Sequence, residues 1–307
     1  MSQSSPNIVE ANIDVYGTYA RASALADYLE VAAVQGIRIT KDGLADIAEQ
    51  LNWSRKSRRA IIVESDDPAD DPDAWPEEAF TALSERQDIL RDKYPFALRS
   101  TYLKYDKSID PRDSPYIGLL ALTVIHAWKL TCSVRPTDRL EAIAADVLRG
   151  KQLQVAGMGT ADRGGVGFVE NLSLAAKSVG LNAALNPVPR KRSAKDAGVD
   201  TLAAFTWKDG RRGHWVMIGQ VTCAKSNEWK MKLNQAEPGT WRSYLQEPLD
   251  PQPFLVIPHH IEARMLEDLL SSGRGLVLDR LRLTEGKSAN SIEDITMIEA
   301  LLAAQVQ

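Results

Sequence analysis

A β-hairpin in the second half of the chain constrains the fold more than any other feature. Residues 199–207 and 214–223 are rich in β-branched and aromatic residues, and they flank the turn-forming segment KDGRRG. Further strand-like runs follow at residues 253–257 and within 275–283, where one strand or a pair of strands is expected. The second half of the chain is therefore predicted to contain a β-sheet.

The first half has helical patterns instead. Residues 116–130 are apolar nearly all round, which predicts a central helix of a core, with His126 as a buried structural residue. Thr137 is the expected N-cap of a helix that ends near Gly150. Ser291, with Asp294 as a weaker capping box, is expected to begin a terminal helix. Spaced apolar residues predict further helices at residues 18–35, 41–51, 77–94, 168–180 and 261–270.

An acidic stretch interrupts the helical half. Residues 64–78 contain eight acidic residues and no basic one, and residues 66–76 include three prolines, which predicts an exposed loop. We therefore predict an α+β (or α/β) protein with a mainly helical domain over residues 1–150. A second domain over residues 151–307 would contain a mixed β-sheet core flanked by helices.

The amino-acid composition limits the class of protein. The chain has 307 residues, 44% of them hydrophobic and 25% charged, which is typical of a globular protein and excludes disorder. Without a long apolar run or signal-peptide features, no membrane partner is expected and a cytoplasmic location is predicted. Cys132 and Cys223 lack the spacing of a zinc site and are expected to be buried. Residues 151–240 carry thirteen basic and seven acidic residues, which suits a polyanionic ligand or simply a solvated basic face.

Two polar residues lie at one end of the hairpin. With the turn centred after Gly210, Asp200 lies opposite Val221, and a shift of one residue places it opposite Gln220. Buried polar groups in apolar strands are costly unless they are paired or bind an ion. Carboxylate, amide and carbonyl oxygens suit Mg²⁺ and suit zinc poorly. A structural hydrogen-bonded pair is the alternative.

The motifs around these residues resemble a known family. A glycine-x-aspartate sequence, a hairpin and then Gly-Gln with lysines after it resemble the PD-(D/E)XK restriction-endonuclease-like superfamily. Gln220 is similar to the glutamine of its Mrr-type members. The motif DxRxG followed by GQ…NxW…K also resembles a motif of uncharacterised bacterial phage-defence proteins. The resemblance covers residues 160–240 well and 250–285 loosely, and it implies no function for residues 1–150.

The resemblance implies a restriction-endonuclease-like core with a metal site. It makes Asp200 the principal ligand of Mg²⁺ (or Mn²⁺), Gln220 the second and the Val221 carbonyl a third candidate. Glu170 matches the acidic residue of the first core helix, although a solvent-facing glutamate is the alternative. Metal-bound water would attack the phosphodiester.

The catalytic lysine is the main departure from the family. Its usual position, two residues after the glutamine, holds Thr222. Lys225 and Lys232 are the preferred candidates for a migrated ammonium that orients the water. The alternative is that the site has lost its chemistry.

The resemblance thus implies a Mg²⁺-dependent DNA endonuclease, as the effector or a subunit of a bacterial anti-phage system. A catalytically inactive nucleic-acid-binding or assembly subunit is the rival. DNA and RNA are not distinguished, and a defence partner protein or a homodimer stays open. Of Trp207, Trp215 and Trp229, one could stack on a base, while core packing is expected for at least two. Phosphates would contact basic residues, namely Arg190, Lys191, Arg192, Lys195, Arg211 and Arg212.

Overall fold

The structure is a computed structural model. It describes residues 8–9, 16, 21–50, 74–158, 167–185, 198–273 and 275–306.

The described helices include every helix expected from the sequence. They are α1 (Arg21–Val34), α2 (Lys41–Gln50), α3 (Trp75–Leu90), α4 (Pro115–Trp128), α5 (Pro136–Gly150), α6 (Phe168–Ser178), α7 (Trp229–Gln235), α8 (Pro238–Leu245), α9 (Ala263–Gly273), α10 (Arg280–Gly286) and α11 (Ile292–Ala303). Among the helices that the structure describes, none is both long and apolar enough to cross a bilayer.

The strands form one five-stranded sheet and two small pairs. They are β1 (Ile8–Val9), β2 (Phe96–Leu98), β3 (Leu103–Tyr105), β4 (Gln154–Gly157), β5 (Thr201–Phe205), β6 (Trp215–Val221), β7 (Gln252–Val256), β8 (Leu276–Leu278) and β9 (Gln305–Val306). The large sheet has the order β4-β5-β6-β7-β8, antiparallel from β4 to β6 and parallel from β6 to β8. Strands β1 and β9 pair in parallel, and β2 and β3 form an antiparallel hairpin. A mixed sheet with helices packed against it confirms the predicted α+β class.

Each face of the sheet has its own hydrophobic core. On one face, Leu202 and Ile218 pack with residues of α6 and α8, including Leu172 and Trp241. The other face contributes Ala203 and other residues to a larger core that also contains residues of α1, α3, α4 and α5. Successive side chains of β5 and β6 belong alternately to the two cores, because they point to opposite faces of the sheet.

The larger core is continuous across residue 150, the predicted domain boundary. Helix α4 packs against α10 and α11, and the Thr123 hydroxyl donates to the Pro258 carbonyl at 2.8 Å. Every residue of α4 from Tyr116 to Ile125 is buried, as its apolar sequence predicts. The helical half and the sheet therefore pack against each other around one shared core.

The residues at the helix N-termini explain where the observed helix starts agree with the predicted ones and where they differ. Helix α11 begins with the expected capping box of Ser291 and Asp294. Helix α3 begins at Trp75 rather than after the predicted loop, because Pro76 is tolerated in a first turn. Thr137 is not the N-cap of α5, since Pro136 starts the helix.

The predicted strand over residues 275–283 is wrong in its second part. Strand β8 ends at Leu278, and the Asp279 side chain then accepts from the Arg282 N–H and starts α10. Cys223 is buried as expected, whereas Cys132 is only partly buried. Residues 51–73, with most of the acidic stretch, lie outside the described residues.

Candidate metal centre at the end of the hairpin

The observed hairpin register brings Asp200 to Gln220. Thr201 pairs with Gly219, and Phe205 pairs with Trp215 at the other end of the ladder. One step beyond the ladder lie Asp200 and Gln220, so the second of the two predicted registers is the observed one. The Asp200 backbone N–H donates to the Gly219 carbonyl at 2.8 Å and keeps the two chains together at this point.

The local geometry explains why both positions of the sequence motif are glycines. Gly198 has a φ of +76°, and a Cβ there would lie 2.9 Å from the Gln235 carbonyl oxygen. Gly219 packs under the Phe254 ring, where an added Cβ would lie 2.2 Å from ring carbons. A side chain at either position would move the backbone that carries Asp200 or Gln220, so the motif sets the place of both polar residues.

The Asp200 carboxylate is held by the backbone of the facing strand. Its Oδ2 atom accepts a hydrogen bond from the Val221 N–H at 2.9 Å. The Asp200 carbonyl accepts from the Met158 N–H at 2.7 Å, which ties this point of the chain to the residue after β4. Asp200 is only partly buried, and the carboxylate therefore lies at the end of the sheet with a fixed orientation.

Gln220 is a buried polar side chain. It is 5% exposed and lies on the same face of β6 as Val216 and Ile218, toward α6 and α8. A polar side chain in this apolar setting is costly unless its amide is paired or binds an ion.

Thr222 has a local structural role at the position where the family carries a lysine. Its backbone N–H donates to the Val256 carbonyl at 2.9 Å, and its Oγ1 accepts from the Ala224 N–H at 3.1 Å. The two candidate lysines come later: Lys225 is exposed before a short 3₁₀ turn, and Lys232 is partly exposed on α7. Both stay candidates for the missing ammonium.

Glu170 lies exposed in the first turn of α6. The solvent-facing alternative therefore describes its surroundings better than a ligand position does. The buried polar residue of this helix is its neighbour Asn171, which is 0% exposed. Sequence reasoning missed Asn171, although its position between Phe168 and Leu172 on the apolar stripe was a usable signal.

The predicted phosphate contacts are only partly described. Arg190, Lys191, Arg192 and Lys195 lie outside the described residues. Arg211 and Arg212 are exposed at the hairpin turn, and the Arg211 Nε donates to the Asp209 carboxylate at 2.7 Å. Asp209 therefore offsets part of the positive charge of the turn.

An acidic cleft lies on the α5 side of the hairpin. It has a volume of about 360 Å³ and is lined by Thr201 of β5 and by charged residues of α5, among them Asp138, Glu141 and Asp146. Arg149 also lines the cleft and pairs with Asp146 at 2.9 Å, so the negative charge of the cleft is partly offset.

The donor set fits a hard cation. Within the described residues, no group of three His, Cys, Asp or Glu side chains is arranged to hold a metal ion. One carboxylate from Asp200 and the neutral oxygens of Gln220 and Val221 would instead form the set. Mg²⁺ is commonly held by one or two carboxylates, water and substrate phosphates, so this sparse set is compatible with it.

A second polar constellation was not predicted from the sequence. Asp27 and Glu30 of α1 pair with Arg86 and Arg280, and all four side chains are 0% exposed. Arg280 binds Asp27 with two nitrogens at 2.6 and 2.7 Å, and Arg86 Nη1 lies 2.8 Å from both carboxylates. Both arginines are far from α1 in sequence, so no local motif predicted the cluster.

Phenols and histidines surround this buried ion cluster. The Tyr16 hydroxyl donates to Asp27 at 2.9 Å, and the Tyr116 hydroxyl donates to Glu30 at 2.7 Å. Burial alone would raise the pKa of Asp27, but the Arg280 and Arg86 guanidiniums hold it below its ordinary value. Burial lowers the pKa of His259, whose ring meets the Tyr16 ring edge-on, to about 3. The cluster ties α1 and α3 to the chain that follows β7 and β8.

Comparison with known proteins found no matching family model, no matching curated protein and no matching solved structure.

Proposed function

We propose that the chain is a Mg²⁺-dependent nuclease that cleaves DNA phosphodiester bonds at the Asp200 end of the hairpin. One observation carries the proposal: the Asp200 carboxylate and the buried Gln220 side chain lie opposite each other at the same end of β5 and β6. The motif that contains them resembles the PD-(D/E)XK superfamily, and the oxygen donors suit Mg²⁺ or Mn²⁺.

Each residue of the site would have its own role in metal binding or catalysis. Asp200 would hold the ion through its carboxylate, with the Val221 N–H fixing the orientation of that group. Gln220 would add its amide oxygen, and Val221 its carbonyl. The bound ion supplies the positive charge that makes a water nucleophilic and stabilises the attacked phosphate. Lys225 or Lys232 would orient the water.

The single carboxylate has a consequence for metal affinity. Because Gln220 is neutral, the site carries one negative charge fewer than a site with two carboxylates. Mg²⁺ binding should therefore be weak until the substrate phosphate adds its own oxygens. Exposed Arg212 and Arg211 at the turn would hold phosphates by a salt-dependent interaction.

The cellular setting rests on the resemblance alone. The motif is similar to that of bacterial phage-defence proteins, so we assign the chain to such a system as its effector or a subunit. A protein partner or a second copy would then control cleavage, since an unrestrained nuclease would cut the DNA of its own cell.

Cleavage assays test the proposal. The purified full chain is incubated with supercoiled plasmid, single-stranded DNA and RNA, each in Mg²⁺, Mn²⁺ and EDTA. Cleavage of DNA in both metals and none in EDTA is expected. Cleavage of RNA alone would change the substrate class. Cleavage that persists in EDTA would contradict a metal-dependent site.

A second candidate is a nucleic-acid-binding or assembly subunit without activity. Thr222 favours it, because this residue replaces the family lysine and its hydroxyl is engaged by the Ala224 N–H. The two candidates separate in one measurement: the inactive subunit binds DNA but cleaves none in Mn²⁺, and Thr222→Lys does not increase cleavage.

A further inference from the structure

Two tryptophans are exposed at the tip of the hairpin, at the end opposite Asp200. Trp207 is 54% exposed and Trp215 is 71% exposed, whereas Trp229 is fully buried. The expectation that at least two of the three tryptophans pack in the core is therefore wrong. Large aromatic side chains are costly to leave in water, so two of them at one tip require an explanation.

The exposed rings form one continuous patch with Phe205. Phe205 pairs with Trp215 across the ladder, so their side chains lie on one face of the hairpin. The Phe205 ring centroid lies 5.1 Å from that of Trp207 and 6.2 Å from that of Trp215. We call Phe205, Trp207 and Trp215 the aromatic tip.

The aromatic tip is held in place by its surroundings. The Glu247 carboxylate, which is largely buried, accepts hydrogen bonds from the Gly213 N–H at 2.9 Å and the His214 N–H at 3.3 Å. The Trp207 backbone N–H donates to the His214 Nδ1 at 3.3 Å. Gly213 has a φ of +97°, a conformation that suits glycine. A fixed loop that presents aromatic rings to solvent is preorganised for binding.

The charge around the aromatic tip is positive. Three exposed cations, Lys208, Arg211 and Arg212, lie between Trp207 and Trp215, and two carboxylates contact this turn, those of Asp209 and Glu247. Asp209 pairs with Arg211 at 2.6 Å, and Lys208 and Arg212 have no ion-pair partner in the part of the chain that the structure describes. Aromatic faces beside uncompensated cations are the combination that binds single-stranded nucleic acid, by base stacking and phosphate attraction. In a duplex the base faces are stacked on each other and are not accessible to aromatic side chains.

We propose that the aromatic tip is a stacking platform for unpaired bases of a nucleic acid strand. The inference rests on the proposed function in taking a nucleic acid as the partner, and it adds that the substrate has a single-stranded segment. Phe205, the ladder partner of Trp215, and Asp200 are five residues apart on β5, or about 17 Å at ~3.3 Å per residue. The aromatic tip lies on the face of Ala203, opposite to the face of Leu202 that carries Asp200. The stacked bases would therefore lie away from the scissile bond.

Fluorescence anisotropy of a labelled 15-nucleotide oligo-dT tests the inference. The full chain is titrated in EDTA, so that binding is measured without cleavage. Trp215→Leu and Trp207→Leu keep apolar area but remove the ring, and each should raise the Kd at least about fivefold. Trp215→Phe should recover most of the affinity. Leu249→Ala, at another exposed apolar residue, is the matched control and should change the Kd less than twofold.

Several outcomes would overturn the inference. Unchanged affinity in both leucine variants, or no binding of oligo-dT by the wild type, would do so. An equal loss with a 15-base-pair duplex would assign the aromatic tip to duplex docking instead. Plasmid cleavage that depends on Asp200 but is unaffected by the leucine variants would reject the stacking platform while leaving the proposed nuclease in place. Unfolding midpoints confirm that the variants are folded.

Discussion

The Oδ2 atom of Asp200 lies 2.9 Å from the Val221 backbone nitrogen and accepts its hydrogen bond. This contact predicts different results for two substitutions. Asp200→Asn keeps an acceptor oxygen, so the free energy of unfolding should change by less than about 1 kcal/mol. Asp200→Ala leaves the N–H of a buried residue unbonded and should cost about 1.5–3 kcal/mol. Urea unfolding measures both, and equal losses would show that the bond contributes nothing.

The buried ion cluster predicts a large loss of stability from one substitution. Arg280→Met leaves the Asp27 carboxylate buried without its two-nitrogen partner, and about 3–5 kcal/mol of stability should be lost. The control is Arg112→Met, which breaks the exposed pair with Glu299 and should cost less than about 1 kcal/mol. Adding Asp27→Asn to Arg280→Met should recover part of the loss. A loss of the control's size from Arg280→Met would contradict the account.

His259 predicts a pH dependence of stability. Burial lowers its pKa from the ordinary value of 6.5 to about 3, so between these values the unfolded chain takes up a proton that the folded chain does not. Stability should therefore fall as the pH decreases from about 6.5 to about 3, by about 1.4 kcal/mol per pH unit from this group.

The His259 effect is isolated by a substitution. The slope of unfolding free energy against pH, measured between pH 6 and pH 4, should be smaller in His259→Gln by up to about 1.4 kcal/mol per pH unit. Asp27 and other carboxylates with lowered pKa values contribute the same sign in both proteins and cancel in the difference. Identical slopes would mean that His259 takes up its proton without unfolding.

The hairpin was predictable because its information is local. Strand runs and a glycine-rich turn limited the register to two choices, and the observed one places Asp200 beside Gln220. Strand β4 and helices α7 and α8 were missed, because short elements carry little periodicity and are decided by packing. The boundary after β8 was missed because the Asp279 cap competes with the strand pattern.

The buried ion cluster marks the limit of sequence reasoning. Asp27 and Arg280 are 253 positions apart, and each is an ordinary charged residue in its own helix. Only the packing of α10 against the helical half brings them together. The exposure of Trp207 and Trp215 was not predicted for a related reason. The expectation of core packing followed from the residue type alone and did not take into account that both residues lie at the end of the hairpin.

The most direct test of the central claim compares two aspartates of the same hairpin. Asp200→Asn and Asp209→Asn both remove one carboxylate charge, but only Asp200 lies beside Gln220, while Asp209 is in the exposed turn. Initial cleavage rates of DNA in Mn²⁺ are measured for the wild type and both variants. We predict that Asp200→Asn lowers the rate at least about a hundredfold, the order of a lost electrostatic group in catalysis, and that Asp209→Asn keeps it within about threefold. A rate in Asp200→Asn equal to that of the wild type would contradict the assignment of the active site.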